Sequence, residues 1–305
     1  MPQLFCKTPN NIEYSRKNSS YRKYINFRES KLTSVQRQLT RGGLASYEPD
    51  VQAAVYAFCE LTTRRIIFYD IGAHIGFFSI MISTIFRSKN PYIFAFEPTP
   101  QTADINRDIR DNNDLAYSVI SKGISSRAHK AEFYLSPISE SSNSLSSSFR
   151  GGNKSINVEI TTIDQFVDDG HVEPSMIKID VETLEYSVLV GGFDTIRKYK
   201  PFILCEILNG SNKEATLATL CCLEALGYNF YRLDDKISWI PMRANKVIEV
   251  ANSKYPDWVF TTQKISTKFT KSFRAWREAL KVCDAGSNII VKRGEKPPNE
   301  TEDFV

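Results

Sequence analysis

The chain has 305 residues, 42% hydrophobic and 24% charged, with a formal net charge of +4. Such a length can bury a full core and such a composition is that of an ordinary globular protein, which excludes a fibrous or wholly disordered chain. No stretch is apolar for the roughly 20 residues a membrane-spanning helix needs, and the start, Met1-Pro2-Gln3-Leu4-Phe5-Cys6-Lys7, lacks the charged-then-apolar pattern of a secretory signal, so a cytoplasmic protein is expected.

Residues 1–41 are polar and weakly periodic, with nine Lys/Arg against Glu13 and Glu29. They predict a partly ordered basic arm, taken as residues 1–45. From Glu48 to Leu61 the apolar residues Val51, Ala54, Val55, Phe58 and Leu61 recur at helical spacing, with Pro49 and Asp50 at a helix start. Ile66-Ile67-Phe68-Tyr69-Asp70 is a short, nearly continuous apolar run, which suits a strand buried on both faces. A helix at Phe77–Phe86, a strand at Tyr92–Phe96, a helix from Pro100 to Asn112 and a strand near Tyr117–Ser121 follow. Residues 136–155 are Ser-rich and loop-like, flanked by strands at Ala131–Leu135 and Val158–Thr161. The alternation resumes with a strand at Met176–Val181, a helix at Leu184–Tyr199, a strand at Phe202–Ile207, a helix at Lys213–Leu226 and a strand at Asn229–Leu233. Trp258-Val259-Phe260 closes a domain of residues 46–262. A basic amphipathic extension, 263–305, has a strand-like piece at Ile289–Lys292 and a disordered end. Strands alternating with helices predict a mostly parallel, doubly wound α/β sheet.

Six cysteines form no C-x-x-C pair and have no histidine cluster beside them, so a zinc site or disulfide framework is not expected. The basic ends are compatible with an anionic substrate, nucleic acid or a membrane surface, although a solvated helix face explains them as well.

Three motifs carry chemistry. Tyr69-Asp70-Ile71-Gly72-Ala73-His74-Ile75-Gly76 joins a buried strand to a helix, and its glycines allow a sharp turn and close ligand approach. The spacing is not the G-x-G-x-x-G that cradles a dinucleotide pyrophosphate, so a nucleoside ligand without phosphate fits better. In Phe94-Ala95-Phe96-Glu97-Pro98, Glu97 ends the second strand, where an acid accepts hydrogen bonds from ribose hydroxyls. In Met176-Ile177-Lys178-Ile179-Asp180-Val181-Glu182, strand periodicity puts Lys178, Asp180 and Glu182 on one side, at the carboxyl edge where open α/β sheets bind ligands. Glu206 ends the next strand in a similar position.

The order Asp-Ile-Gly-Ala-x-x-Gly, Phe-Glu-Pro, Thr162-Ile163-Asp164, Ile-Lys-Ile-Asp-Val-Glu, then Pro201 and Glu206, resembles the FkbM family of methyltransferases over about residues 42–262. Tyr47-Glu48-Pro49 is also similar to that family. The resemblance implies a class I methyltransferase, Rossmann-like fold with the Ser-rich stretch and extra strands as insertions. It also implies S-adenosylmethionine as cofactor, held by Asp70, Gly72, Ala73, Gly76, Glu97 and Pro98, with Asp180 near the methionine moiety. Many relatives are O-methyltransferases of sugars or secondary metabolites, which implies a small-molecule or glycan acceptor. Two departures stand out: His74 replaces an asparagine, and Thr183 replaces a glycine.

A hydroxyl acceptor needs a base, and Asp180, Glu182 and His74 are the catalytic candidates. Asp180 and Glu206 could hold a divalent cation, but two carboxylates are a thin basis, so no metal is expected. Methylation of RNA or protein is an alternative, although no recognised nucleic-acid module is present. A cofactor-binding scaffold without turnover is another. The sequence says nothing of the oligomeric state.

Overall fold

The computed structural model describes residues 3–7, 22–26, 33–135, 154–281 and 283, apart from 209, 234–237, 252, 253 and 255. Gln3–Lys7 (β1) and Arg22–Asn26 (β2) pair antiparallel. Ser34–Gly42 (α1) starts on a capping box, in which the Thr33 hydroxyl accepts from the Gln36 N–H and the Gln36 side chain accepts from the Thr33 N–H. Pro49–Leu61 (α2) begins with proline at its first turn. Its last carbonyls are gathered by one ammonium: Lys89 Nζ donates to the Cys59, Glu60 and Thr62 oxygens at 2.7, 2.7 and 3.0 Å.

The Rossmann-like part then runs Ile67–Ile71 (β3), Phe77–Ile85 (α3), Tyr92–Phe96 (β4), Pro100–Asn112 (α4) and Ser118–Ile120 (β5). Gly123–Ile124 (β6), His129–Leu135 (β7) and Lys154–Thr161 (β8) form a separate small sheet in the order β6-β8-β7. Of the Ser-rich stretch, 136–153 lies outside the described residues, and Lys154 and Ser155 open β8. Next come Ile163–Asp168 (α5), Met176–Ile179 (β9), Glu185–Gly191 (α6), Phe193–Tyr199 (α7), Phe202–Glu206 (β10), Lys213–Ala225 (α8), Asn229–Arg232 (β11), Ala244–Val250 (α9), Asp257–Thr261 (β12) and Thr267–Lys281 (α10).

The main sheet has the order β11-β12-β10-β9-β3-β4-β5. Strands β10, β9, β3, β4 and β5 are parallel, and β12 runs antiparallel between β10 and β11. This is the mostly parallel, doubly wound α/β sheet that the alternation of strands and helices predicts. Period-two alternation divides its side chains between two faces. Phe68, Ile93, Met176, Leu204 and Val259 pack under α2, α3 and α10. Tyr69, Phe96, Ile177, Ile203, Trp258 and Phe260 pack under α5, α6, α8 and α9. Strand order reverses between β3 and β9, which opens a crevice at their carboxyl ends.

The expected helix 184–199 is two helices, α6 and α7, broken at Gly191-Gly192. The Ser125 backbone passes so close that a Cβ at Gly191 would overlap its carbonyl oxygen. Helical periodicity persists across the break, which is why the spacing alone suggests one helix. The short helices α5 and α9 were likewise not apparent as periodic runs. Beyond residue 262, α10 lies along α2. Trp276 Nε1 and the Ser272 hydroxyl donate to Glu60 Oε2 at 2.9 and 2.6 Å, and Arg277 pairs with Asp50. The strand-like piece at 289–292 and the tail 295–305 lie outside the described residues. Among the described residues, no helix is long and apolar enough to cross a membrane.

Candidate active site

Strand β3 delivers the glycine loop. The Gly72 and Ala73 N–H groups donate to the Phe96 oxygen at 3.1 and 2.9 Å, which locks the loop onto the end of β4. Gly72 has φ +80, and a Cβ there would overlap the Asp180 carbonyl oxygen. Only glycine lets the ends of β3 and β9 approach so closely. Gly76 (φ +78) precedes α3, and a Cβ on it would strike the Asn106 amide. That amide donates to the His74 oxygen at 3.2 Å and its Oδ1 accepts from Tyr117 Oη at 2.7 Å. Asp70 is buried, and its Oδ2 accepts from the Ser79 hydroxyl at 2.6 Å and the Ser79 N–H at 3.2 Å. It therefore braces the first turn of α3.

Strand β4 delivers Glu97. One carboxylate oxygen accepts from the His74 N–H at 3.0 Å, the other from the Thr99 N–H at 2.8 Å. The Thr99 side chain adds a third hydrogen bond, which leaves the carboxylate acceptor capacity for one further donor. Burial pushes this carboxyl above its usual range despite the two N–H donors.

Strand β9 delivers the charged row. Lys178 Nζ lies 2.8 Å from Asp180 Oδ2, 3.6 Å from Glu48 Oε2 and 4.8 Å above the Phe78 ring centre. Burial alone would lower the Lys178 pKa, but its carboxylate neighbours, Asp180 first, outweigh it and hold the ammonium well above its usual range. Burial alone would raise Asp180, but Lys178 and a hydrogen bond with Glu206 hold it below its usual range. Glu206 is pushed up to about 11, by burial first and then by Asp180 and Asp257. It is thus the protonated donor of the pair. Asp257 stands opposite Glu206 across the β10–β12 register, and burial pushes it to about 8. Glu185, at the start of α6, is 2% exposed, and burial pushes it to about 7. Among the described residues, no group of three His, Cys, Asp or Glu is arranged to hold a metal ion.

These strand ends meet at one cavity of roughly 610 Å³, part of it open to solvent. Its polar wall is Gly72, His74, Glu97, Asp180 and Glu182. Its apolar wall includes Pro98, Ile124, Phe133 and Ile160, the last three supplied by the small sheet. Of the residues singled out in the sequence, Gly72, His74, Glu97, Pro98, Asp180 and Glu182 line it. Asp70, Ala73 and Gly76 do not: they shape the loop from behind.

A model of the methyltransferase FkbM domain matches residues 70–230, more than half of the chain. The chain belongs to the FkbM methyltransferase family. A hexuronic acid methyltransferase, AglP, of Haloferax volcanii is 29% identical over 148 residues, which are 47% of this chain and 56% of that protein. The chain thus spans about half the length of this relative. Among solved structures, an FkbM methyltransferase of Methylobacillus flagellatus is similar with a TM-score of 0.42 and 16% identity, over 72% of this chain and 56% of that one. Human methyltransferase-like protein 13, solved with SAH, has a TM-score of 0.43 and 13% identity, over 84% and 96% of the two chains.

Both departures from the FkbM pattern fall on left-handed backbone. His74 has φ +50 and Thr183 φ +85, next to Glu182 at φ +57. A β-branched residue there is a rare, strained choice. Sequence reasoning missed Glu185, Asp257 and, apart from Pro98, the apolar wall. Asp257 lies on an antiparallel strand far along the chain, and Phe133 and Ile160 sit on a sheet outside the Rossmann-like pattern. No local signal pointed to either.

Proposed function

We propose that this FkbM-family chain is a methyltransferase that moves the methyl group of S-adenosylmethionine to a hydroxyl of a sugar or related small molecule. The observation that carries this is the cavity at the β3/β9 reversal, bounded by a glycine loop, a buried carboxylate and an apolar wall. The residues present fit the cofactor. Gly72 leaves the space a side chain would fill, Glu97 retains acceptor capacity for a ribose hydroxyl, and Ile124, Phe133 and Ile160 offer an apolar surface for a flat base. A bound sulfonium supplies an activated methyl group. The chain's own task is then to orient the acceptor, an effect worth up to roughly 7–11 kcal/mol.

Asp180 is the residue best set to accept a hydrogen bond from the acceptor hydroxyl, because Lys178 and the hydrogen bond with Glu206 keep it ionised. Glu182 and His74 line the same cavity and complete the polar wall. The sugar acceptor is supported by the hexuronic acid methyltransferase among the relatives. Incubation with methyl-labelled S-adenosylmethionine and a panel of hexoses, hexuronic acids and their oligomers tests this. Label in a carbohydrate is the expected result. Label carried only by added RNA or protein would overturn the acceptor class.

A further inference from the structure

The turn after β9 is the most strained segment of the cavity, and one buried carboxylate spans it. Glu182 and Thr183 are consecutive non-glycine residues with φ of +57 and +85. Such residues cost free energy and persist only when their surroundings over-determine them. Here the surroundings are the Glu185 side chain. Its Oε1 accepts from the Thr183 N–H at 3.0 Å and from the Val181 N–H at 3.3 Å, and its Oε2 accepts from the Ser211 hydroxyl at 3.4 Å. The carboxylate thus closes the turn on itself and ties it to the segment leading into α8. Val181, Glu182 and Leu184 on this turn line the cavity, and Asp180, at its start, presses its carbonyl against Gly72. Glu185 does not line the cavity.

We propose that Glu185 is a positioning residue: it pins the 181–183 turn in its left-handed shape and so forms the cavity wall carrying Asp180 and Glu182, and Thr183 makes the wall depend on that pin. A glycine at 183 would adopt φ +85 without strain, and the turn would then hold its shape with less help. Loss of the pin and relief of the strain are therefore coupled, which a general loss of packing would not produce.

Double-variant cycles test this. The probe is S-adenosylhomocysteine, read by calorimetry, alongside hydrogen exchange at the Val181 and Thr183 amides. Glu185→Ala raises the Kd about tenfold in the wild-type background and less than about threefold in the Thr183→Gly background. Equal losses in both backgrounds would overturn the proposal. Glu185→Gln keeps one oxygen on the two N–H groups, so its amides stay protected. Should Glu185→Ala not fold, exchange in Glu185→Gln as fast as in a peptide would overturn the pin. Its part in ligand binding rests on the donor-site reading above, and the two fail separately. If the wild type gives no heat with S-adenosylhomocysteine, the donor site falls. The pin still stands if Glu185→Ala speeds exchange at both amides about tenfold or more, and falls if it does not.

Discussion

Lys178→Met removes the cation at the centre of the carboxylate row and keeps a side chain of similar length. Lys178 is 6% exposed, and it faces Asp180 at 2.8 Å and Glu48 at 3.6 Å. Removing one partner of a buried ion pair costs about 3–5 kcal/mol, because the other charge stays buried without compensation. Asp180 and Glu48 keep 26% and 25% of their side-chain surface, so the lower end, about 3 kcal/mol, is expected. The pH dependence has a definite sign. In the wild type, Asp180 is held low and contributes stability above its unfolded pKa, which is lost as pH falls through the folded value. Lys178 is held high, and its contribution is lost only as pH rises through its folded value, above the ordinary lysine range. Between those limits the pair is intact. In the variant both carboxylates take up protons at mildly acid pH and escape the penalty. The loss is therefore largest near pH 8 and smaller near pH 5. Urea titrations at both pH values measure it, with an unchanged m-value as the sign that the fold persists. Adding Asp180→Asn recovers part of the loss at pH 8. A loss under about 1 kcal/mol at pH 8, or a larger one at pH 5, would refute the role given to this ammonium.

Gly72→Ala is expected to abolish donor binding while leaving the far-UV spectrum intact, since its Cβ has no room against the Asp180 oxygen; binding near the wild-type level would contradict the close approach of β3 and β9. The raised pKa values of Glu185, Asp257 and Glu206 mean that the folded chain holds more protons than the unfolded chain above pH 4.5, so these groups lower stability as pH rises towards 8. Glu206→Gln, which copies the protonated acid and cannot titrate, makes the fall in melting temperature from pH 5.5 to 8.5 shallower than in the wild type; an unchanged or steeper fall would contradict a protonated Glu206. Trp276 is 1% exposed, meets the Tyr56 ring edge-on at 5.0 Å and ties α10 to Glu60, so Trp276→Ala costs about 3–5 kcal/mol by denaturant unfolding. A cost below 1 kcal/mol on the order of a surface change would show that α10 is not part of the folding unit.

Much of the site was legible because strand ends are written locally. Apolar runs stopping at Asp70-Ile71-Gly72, Phe96-Glu97 and Ile179-Asp180 fix which residues reach the carboxyl edge, and one parallel sheet then brings them together. What local pattern cannot encode is which distant groups set their charge. Glu48 reaches Lys178 from the start of α2, and Asp257 reaches Glu206 from an antiparallel strand. The similar placement of the acids near strand ends also hid a division of labour: Asp70 turns back to Ser79, whereas Glu97 borders the cavity. Strand alternation puts Asp70 on the side of the sheet that packs against α3, and that face is not visible until the crossovers are known. The close approach of Ser125 to Gly191 joins residues remote in sequence.

A titration of S-adenosylhomocysteine into the wild type and Glu97→Ala, side by side in a calorimeter, bears most directly on the cavity between β3, β4 and β9. One molecule should bind per wild-type chain, and the variant should lose about 1.5–3 kcal/mol of affinity, the worth of hydrogen bonds to a charged group. Absence of heat from the wild type, or equal affinity in both, would contradict the assignment.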